Sequence, residues 1–225
     1  MLRLWNDIER RRVNMAELNI ISAVLGPVST NCYTVSNVQT KDTVIIDPAD
    51  SGEHLVKMIE DQGLIPKAIL LTHGHFDHCM AVPRLKEEYP EAEVIIGADD
   101  VQWLKDPQLN LSMPFIGEAF SLEADRTVTD GEEIEIMGTK MVCIQVPGHT
   151  PGGMCYYFPE QHLLFDGDTL FSGSVGRTDF PGGSQDALMN GIRNKLFTLP
   201  EETLVFPGHD RATTIQREIA ENMYF

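Results

Sequence analysis

Five of the seven histidines of this 225-residue chain fall in three short turns, the first of which also carries an aspartate, and a fourth turn carries two aspartates. The first turn reads Thr72-His73-Gly74-His75-Phe76-Asp77-His78, and the others are Pro147-Gly148-His149, Asp166-Gly167-Asp168 and Pro207-Gly208-His209. Imidazole nitrogens and carboxylate oxygens are favoured ligands of zinc and also suit iron and manganese. Taken singly each residue is weak: a lone histidine after a strand is more often structural, and Asp77 alone could cap a helix. Their concentration in four turns decides for metal. The candidate ligands are His73, His75, Asp77, His78, His149, Asp168 and His209, more side chains than one tetrahedral ion can use. Gly74 is expected to let the backbone approach the ions by removing a side chain between two ligands. His54 and His162 lie outside these turns and are assigned surface or structural roles.

Each turn closes a buried, strand-like run. Alternation and turn residues predict strands over 19–24, 32–36 and 43–46, punctuated by Gly26-Pro27 and Asp47-Pro48. A helix over 51–62, with Leu55, Met58 and Ile59 on one face, stops at Gly63, and a strand over 67–71 runs into the His73 turn. Pro83 belongs to the first turn of a helix over 84–88, which precedes a strand over 94–96. Residues 98–129 read as a helical turn and a long loop. Strands over 133–137, 140–146, 154–158 and 163–165 follow, then a helix over 184–196, a strand over 203–206 and a helix over 213–222. Locally paired strands interleaved with helices predict a layered α/β protein with mixed sheets. In such folds the loops at strand ends carry function on a rigid base.

A formal charge of −17 repels a phosphate backbone, so nucleic acid is not an expected partner. The one basic cluster, Arg10 to Arg12, follows Glu9 within residues 1–14, which read as a poorly ordered extension before a single domain over 15–225. Residues 1–14 lack the apolar core and cleavage site of a signal peptide, Asp7 and Glu9 argue against a transit peptide, and Met15 is an alternative start. Apolar runs are strand-length, which predicts no membrane span and a cytoplasmic location. Cys32, Cys79, Cys143 and Cys155 form no paired framework and are expected to pack as small apolar side chains.

The seven-ligand pattern resembles that of the metallo-β-lactamase superfamily, from about residue 19 to the end. The resemblance implies a four-layer αβ/βα sandwich of two mixed β-sheets, with the site at one edge between the sheets. It also implies that His73, His75 and His149 hold one ion, that Asp77, His78 and His209 hold a second, and that Asp168 bridges them. Strand parity alone groups Asp77 with His73 and His75. The stretches Gly167-Asp168-Thr169-Leu170-Phe171, Gly176-Arg177-Thr178-Asp179-Phe180-Pro181-Gly182-Gly183 and Phe206-Pro207-Gly208-His209 are similar to the glyoxalase II (hydroxyacylglutathione hydrolase) branch. Asp168 stands where many true β-lactamases carry cysteine, which counts against antibiotic hydrolysis. Full-length glyoxalase II enzymes append a helical domain after the last histidine, whereas sixteen residues follow His209 here, as in a short form.

That resemblance implies a hydrolase with two divalent ions, zinc first and iron or manganese as alternatives, acting on a small-molecule thioester. Two ions about 3.5–4 Å apart can acidify a shared water into a nucleophile. A thiol leaves as a thiolate of pKa near ~8.5, so no strong general acid is required. Asp77 and Asp168 are the expected catalytic carboxylates, aiming that water. Arg177 has two readings: a contact to a carboxylate of the thiol carrier, or a surface arginine paired with Asp179. A persulfide dioxygenase using one iron on His73, His149 and Asp168 is the rival, since such enzymes share Gly-Arg-Thr-Asp-Phe and a pair like His209-Asp210. A nuclease is disfavoured by the charge, and a non-catalytic metal scaffold by the full ligand set. The expected assembly is a monomer or small homo-oligomer. Asp168→Ala is predicted to weaken metal binding and turnover beyond the roughly 10–100-fold cost of losing a residue that only supports a ligand. His54→Ala and His162→Ala should change both less than about twofold; comparable losses at His54 and Asp168 refute the ligand set.

Overall fold

Successive side chains of a strand point to opposite faces, and in the central strands of this protein both faces are apolar and buried. The computed structural model describes residues 16–225, so the extension over 1–14 and the start at Met15 lie outside the described residues. One six-stranded sheet comprises β1 (Leu18–Leu25), β2 (Thr30–Asn37), β3 (Asp42–Ile46), β4 (Ile65–Leu71), β5 (Glu93–Gly97) and β6 (Arg126–Val128), in that order. The first three pair antiparallel, and β3 to β6 run parallel. The second sheet uses β7 (Glu133–Ile136), β8 (Thr139–Gln145), β9 (Met154–Phe158) and β10 (Leu163–Gly167). A hairpin of β11 (Leu170–Phe171) and β12 (Ser174–Val175) follows, then β13 (Leu204–Pro207) and β14 (Thr213–Thr214). The order across that sheet is β14-β13-β10-β9-β8-β7, with β10 and β13 parallel and the other pairs antiparallel.

The alternation generates the layers. Val44, Ile46, Ala68, Leu70 and Ile95 face a central core shared with Tyr156, Phe158, Leu163 and Phe165 of the other sheet. Ile45, Ile69, Leu71, Val94 and Ile96 point the opposite way, onto α1 (Gly52–Asp61) and α2 (Val82–Glu88). Cys155, Tyr157, Leu164 and Val205 likewise meet α5 (Gln185–Asn194) and α6 (Ile215–Glu221) on the far side. The result is the predicted αβ/βα sandwich: helices, sheet, sheet, helices.

Strand direction then places the chemistry. β4, β8, β10 and β13 all end at the same rim, because β8 and β10 both run opposite to β9 and β13 is parallel to β10. Bonds across the sandwich close that rim. Tyr156 Oη donates to Leu71 O at 2.8 Å, and Met154 N to Thr72 O at 2.7 Å. Asn31 N donates to Gly208 O at 2.7 Å, and Tyr33 Oη to Pro207 O at 2.7 Å.

Three local expectations change. Residues 98–129 hold more order than a turn and a loop: α3 (Val101–Lys105), α4 (Ser112–Ile116) and β6. β6 is three residues long and gains its structure from pairing with β5, which no local pattern reveals. The predicted helix over 213–222 starts later, because Thr213 and Thr214 pair with β13 and the Thr214 hydroxyl then caps α6 by accepting from Arg217 N. The β11–β12 hairpin adds two short strands where the sequence pattern shows none. The four cysteines are buried and unpaired, as expected.

Phe165 is fully buried, stacks on Phe206 at 5.0 Å and meets Tyr33 and Phe158 edge-on. Phe165→Ala should therefore destabilise the protein by about 3–5 kcal/mol in chemical denaturation, the range for an aromatic cavity in a packed core. A loss under ~1 kcal/mol would mean that the space between the sheets refills.

Candidate metal centre

The rim gathers all seven predicted side chains. Ligand atoms of His73, His75 and His149 lie within 4.8 Å of one another, and so do those of Asp77, His78 and His209. His73, His78 and Asp168 form a third such group, which places Asp168 between the other two. His54 is exposed on α1, and His162 lies in a turn 3.8 Å from Glu202, so neither joins the cluster. Beyond Leu71 the chain leaves extended geometry, and residues Phe76–His78 form a 3-10 turn. That turn breaks strand parity and sends Asp77 to the group of His78 and His209, away from His73 and His75.

The outward nitrogens determine which way the lone pairs point. His149 Nδ1 donates to Arg177 O at 2.8 Å and His209 Nδ1 to Ser29 O at 3.4 Å; carbonyls only accept, so each Nε2 carries a lone pair, that of His149 lying 3.0 Å from His75 Nδ1. His78 Nδ1 donates to Asp47 Oδ2 at 2.9 Å. The Thr72 hydroxyl also gives its proton to Asp47 Oδ2, at 2.7 Å, so it must accept from His73 Nδ1 at 3.1 Å. Four imidazoles thus present Nε2 to one centre.

Several inward atoms have no hydrogen-bond partner although they are buried: His73 Nε2, His78 Nε2 and Asp168 Oδ1. Their spacing is also that of co-ligands. His149 Nε2 and His209 Nε2 each lie 3.5 Å from Asp168 Oδ2, and Asp77 Oδ2 lies 3.5 Å from His209 Nε2 and 3.6 Å from His78 Nε2. Such distances are too long for good hydrogen bonds. They match the ~3.3–3.6 Å separating two ligands held about 2.0–2.2 Å from one tetrahedral ion. These residues fit divalent cations.

Charge is arranged to suit. Burial favours neutral His73 and His75, whose pKa values fall well below normal, with neighbouring imidazoles adding to the effect. Burial also opposes charge on His78, but Asp77, Asp47 and Asp168 outweigh it and raise its pKa to about 10 in the metal-free chain. His209 is raised too: burial opposes, and Asp77 and Asp168 prevail. Burial would push Asp77 up, yet His78 and His209 hold it well below the ordinary carboxylate range.

Sequence reasoning misses the supports. Asp47 reads there only as strand punctuation, but β3 ends beside β4, and its carboxylate accepts from Thr72 N, the Thr72 hydroxyl and His78. The signal available is a carboxylate ending a buried parallel strand, as the ligand turns do. Thr30, which donates to Asp77 Oδ2 at 3.1 Å, carries no signal. Gly74 does not open a path to the ions: a Cβ there would meet Trp103 Cβ at 2.7 Å and Leu104 N at 2.8 Å, so glycine is required by α3 packing onto the loop. Gly208 is the glycine that passes over ligands, since its Cβ would strike Asp168 Oδ1 and come within 2.7 Å of His78 Cε1. Arg177 reaches the mouth of the cleft, but both arms of its guanidinium engage Asp179, each at 2.7 Å.

An αβ/βα sandwich with two histidine-carboxylate groups sharing an aspartate at one rim defines a metal-dependent enzyme class. The family model for the metallo-beta-lactamase superfamily matches residues 25–209, and the chain belongs to that superfamily of metal-dependent hydrolases. It is 36% identical over 201 residues to the probable metallo-hydrolase YqgX of Bacillus subtilis (strain 168), covering 89% of this chain and 94% of that one. It is also 36% identical over 201 residues to the hydroxyacylglutathione hydrolase GloC of Haemophilus influenzae, covering 86% and 92%. Among solved structures, BLEG-1 B3 metallo-beta-lactamase matches at 37% identity and TM-score 0.87, over 92% of this chain and 99% of that one. TTHA1623 in a di-iron-bound form matches at 36% identity and TM-score 0.81, over 91% and 100%. ETHE1 from Myxococcus xanthus matches at 27% identity and TM-score 0.76, over 91% and 83%. No helix of the described residues is long and apolar enough to cross a membrane.

Below about pH 10 a cation at the Asp77/His78/His209 group must displace the His78 proton, so affinity should rise with pH. Chelator competition between pH 6 and 8 should show at least about a tenfold gain per unit; a flat profile would exclude His78 as a ligand. Asp47→Asn keeps the shape but turns an amide N–H towards a donor, either the Thr72 pair or His78. It should lower metal affinity about 10–100-fold, and wild-type affinity in that variant would make Asp47 merely structural.

Proposed function

We propose that this protein is a binuclear metal-dependent hydrolase of thioesters. One observation carries the reading: Asp168 presents one oxygen 3.5 Å from both His149 Nε2 and His209 Nε2, members of the two separate ligand groups. A carboxylate so placed would serve two ions, one held by His73, His75 and His149 and the other by Asp77, His78 and His209. Two divalent ions supply Lewis acidity and an acidified water. The chain supplies orientation. Thr30 donates to Asp77, Asp47 aligns His78, and the Arg177 carbonyl aligns His149, so the ligands are set before substrate arrives. The described cleft offers no group placed to protonate a poor leaving group such as an amine: apart from the ligands, its polar lining is Ser174 and the Asp179-paired Arg177. A thiolate, of pKa near ~8.5, needs no such donor. Likeness to the hydroxyacylglutathione hydrolase GloC supports the same reaction type. Zinc is the metal we propose, and the di-iron-bound TTHA1623 keeps iron as the alternative. We propose a small-molecule substrate and a monomer or small homo-oligomer in the cytoplasm.

The experiment combines elemental analysis with a thioester panel that includes S-lactoylglutathione. Two ions per chain and thioester turnover that falls in proportion to metal removal are the expected results. One tightly bound iron, with oxygen uptake on a persulfide and no thioester turnover, would replace the reading with a persulfide dioxygenase, a reaction the likeness to ETHE1 keeps in view.

A further inference from the structure

The cleft over the metal centre has a volume of about 340 Å³, within the size range of small-molecule sites. Its walls beyond the ligands are mainly apolar: Val28, Phe76, Leu111, Phe115, Phe171 and Phe180. The aromatic rings form a continuous surface. Phe180 meets His75 edge-on at 5.8 Å and Phe115 at 5.7 Å, and Phe115 leans on Phe76 at 6.2 Å. Phe171 flanks His209 at 6.4 Å on the other side.

Two features set this wall apart from ordinary core. Phe115 is 53% exposed although it is a large apolar side chain, so its ring faces water over the site. It sits on α4, whose ends are held by left-handed residues, Leu111 at φ 70° and Gly117 at φ 71°. For a branched, non-glycine residue such as Leu111 that conformation is strained, and strain of this kind collects where a site must be presented. Asn110 holds the strained turn by accepting from Ser112 N at 3.0 Å through its side chain and from Phe76 N at 2.9 Å through its carbonyl. The fold therefore tolerates a conformational cost to hold an aromatic ring in solvent beside the ligands.

Nothing in the cleft is equally prepared for an anion. Arg177 is the one lysine or arginine among the described lining residues. Its fork is filled by Asp179, and its guanidinium carbon stacks 3.9 Å over the Phe180 ring. In that pose it positions Phe180 and carries no free charge. The chain as a whole bears −17, which further opposes a polyanionic carrier.

We infer that the substrate arm lying against Phe115 and Phe180 is apolar, so that the protein selects thioesters of hydrophobic alkyl or aryl groups over those recognised by carboxylates. This rests on the thioester reading above, and its test is separable from it. The first measurement is calorimetric binding of n-alkanethiols, ethanethiol to hexanethiol, to the zinc-loaded protein, with 3-mercaptopropionate as the anionic comparison. Each added methylene should tighten binding about threefold to fourfold, the equivalent of about 0.8 kcal/mol, until the cleft is full. Phe115→Ala should reduce the gain to under about twofold per methylene, and Phe115→Leu should restore most of it. Ile65→Ala, which trims a comparably exposed apolar residue at the opposite end of β4, should leave the series unchanged.

A flat alkanethiol series, or 3-mercaptopropionate binding more than about tenfold tighter than propanethiol, would overturn the inference and return Arg177 to carboxylate recognition. The second measurement is turnover of matched thioesters with alkyl or carboxylate-bearing arms. A steep alkanethiol series without any thioester turnover would sustain the apolar cleft and refute the reaction. Turnover with a flat series would do the reverse.

Discussion

Buried imidazole and carboxylate atoms that face one another without hydrogen bonds are the constraint around which this molecule is organised. His73 Nε2, His78 Nε2 and Asp168 Oδ1 are all shielded from water and unpartnered. Leaving one such group unsatisfied costs about 1–3 kcal/mol, and more when it is charged. Divalent cations would remove that cost for the whole set at once, which would let the cluster be buried at the end of a hydrophobic sandwich. In their absence protons on His78 and His209 take the same place, drawn there by Asp77 and Asp168.

That constraint reaches outward through single hydrogen bonds. Asp47 accepts from both Thr72 groups and His78, so one carboxylate orients two ligand rings and the loop that carries them. Asp100 does similar work on the opposite side. It is fully buried, accepts from Gly74 N and Gly152 N, and so ties the His73-His75 loop to the segment after His149. Loops at the rim are therefore not free ends of strands. They are pinned to each other and across the sheets, most directly where Asn31 bonds to Gly208 and Met154 to Thr72. Such a frame fixes the positions of the histidine and aspartate side chains through bonded neighbours.

Above the histidine-aspartate cluster the protein changes character. The histidines and aspartates below are oriented by hydrogen bonds from their outward atoms, while the cleft above is bounded by aromatic rings, Phe115 among them on the short α4 with its left-handed Leu111. The separation has a physical reason. Metal chemistry needs fixed geometry and low solvent access, whereas substrate choice needs a surface that can vary without disturbing the ligands. Placing the second on α4 and on the loop that carries Phe180 achieves this, since the ligand turns come from β4, β8, β10 and β13.

Much of this is legible in the amino-acid sequence. The candidate ligand set is readable because His73, His75, Asp77, His78, His149, Asp168 and His209 are concentrated in turns after buried runs, and residue type alone restricts their chemistry. Buried strand-like runs interleaved with helices also announce a layered α/β protein with mixed sheets, and the family resemblance narrows this to the four-layer sandwich. Other features are settled only in three dimensions. The 3-10 turn at Phe76–His78 moves Asp77 into the group of His78 and His209, against the parity of an extended chain. Asp47 becomes a support for His78 because parallel pairing sets the end of β3 beside the end of β4, far from it in sequence. Gly74 serves helix packing, and β6 exists only as the partner of β5. The physical reason is common to all four. A side chain's chemistry is local and written in its type, whereas its neighbour across a sheet or a loop is decided by long-range packing that no short stretch of chain encodes.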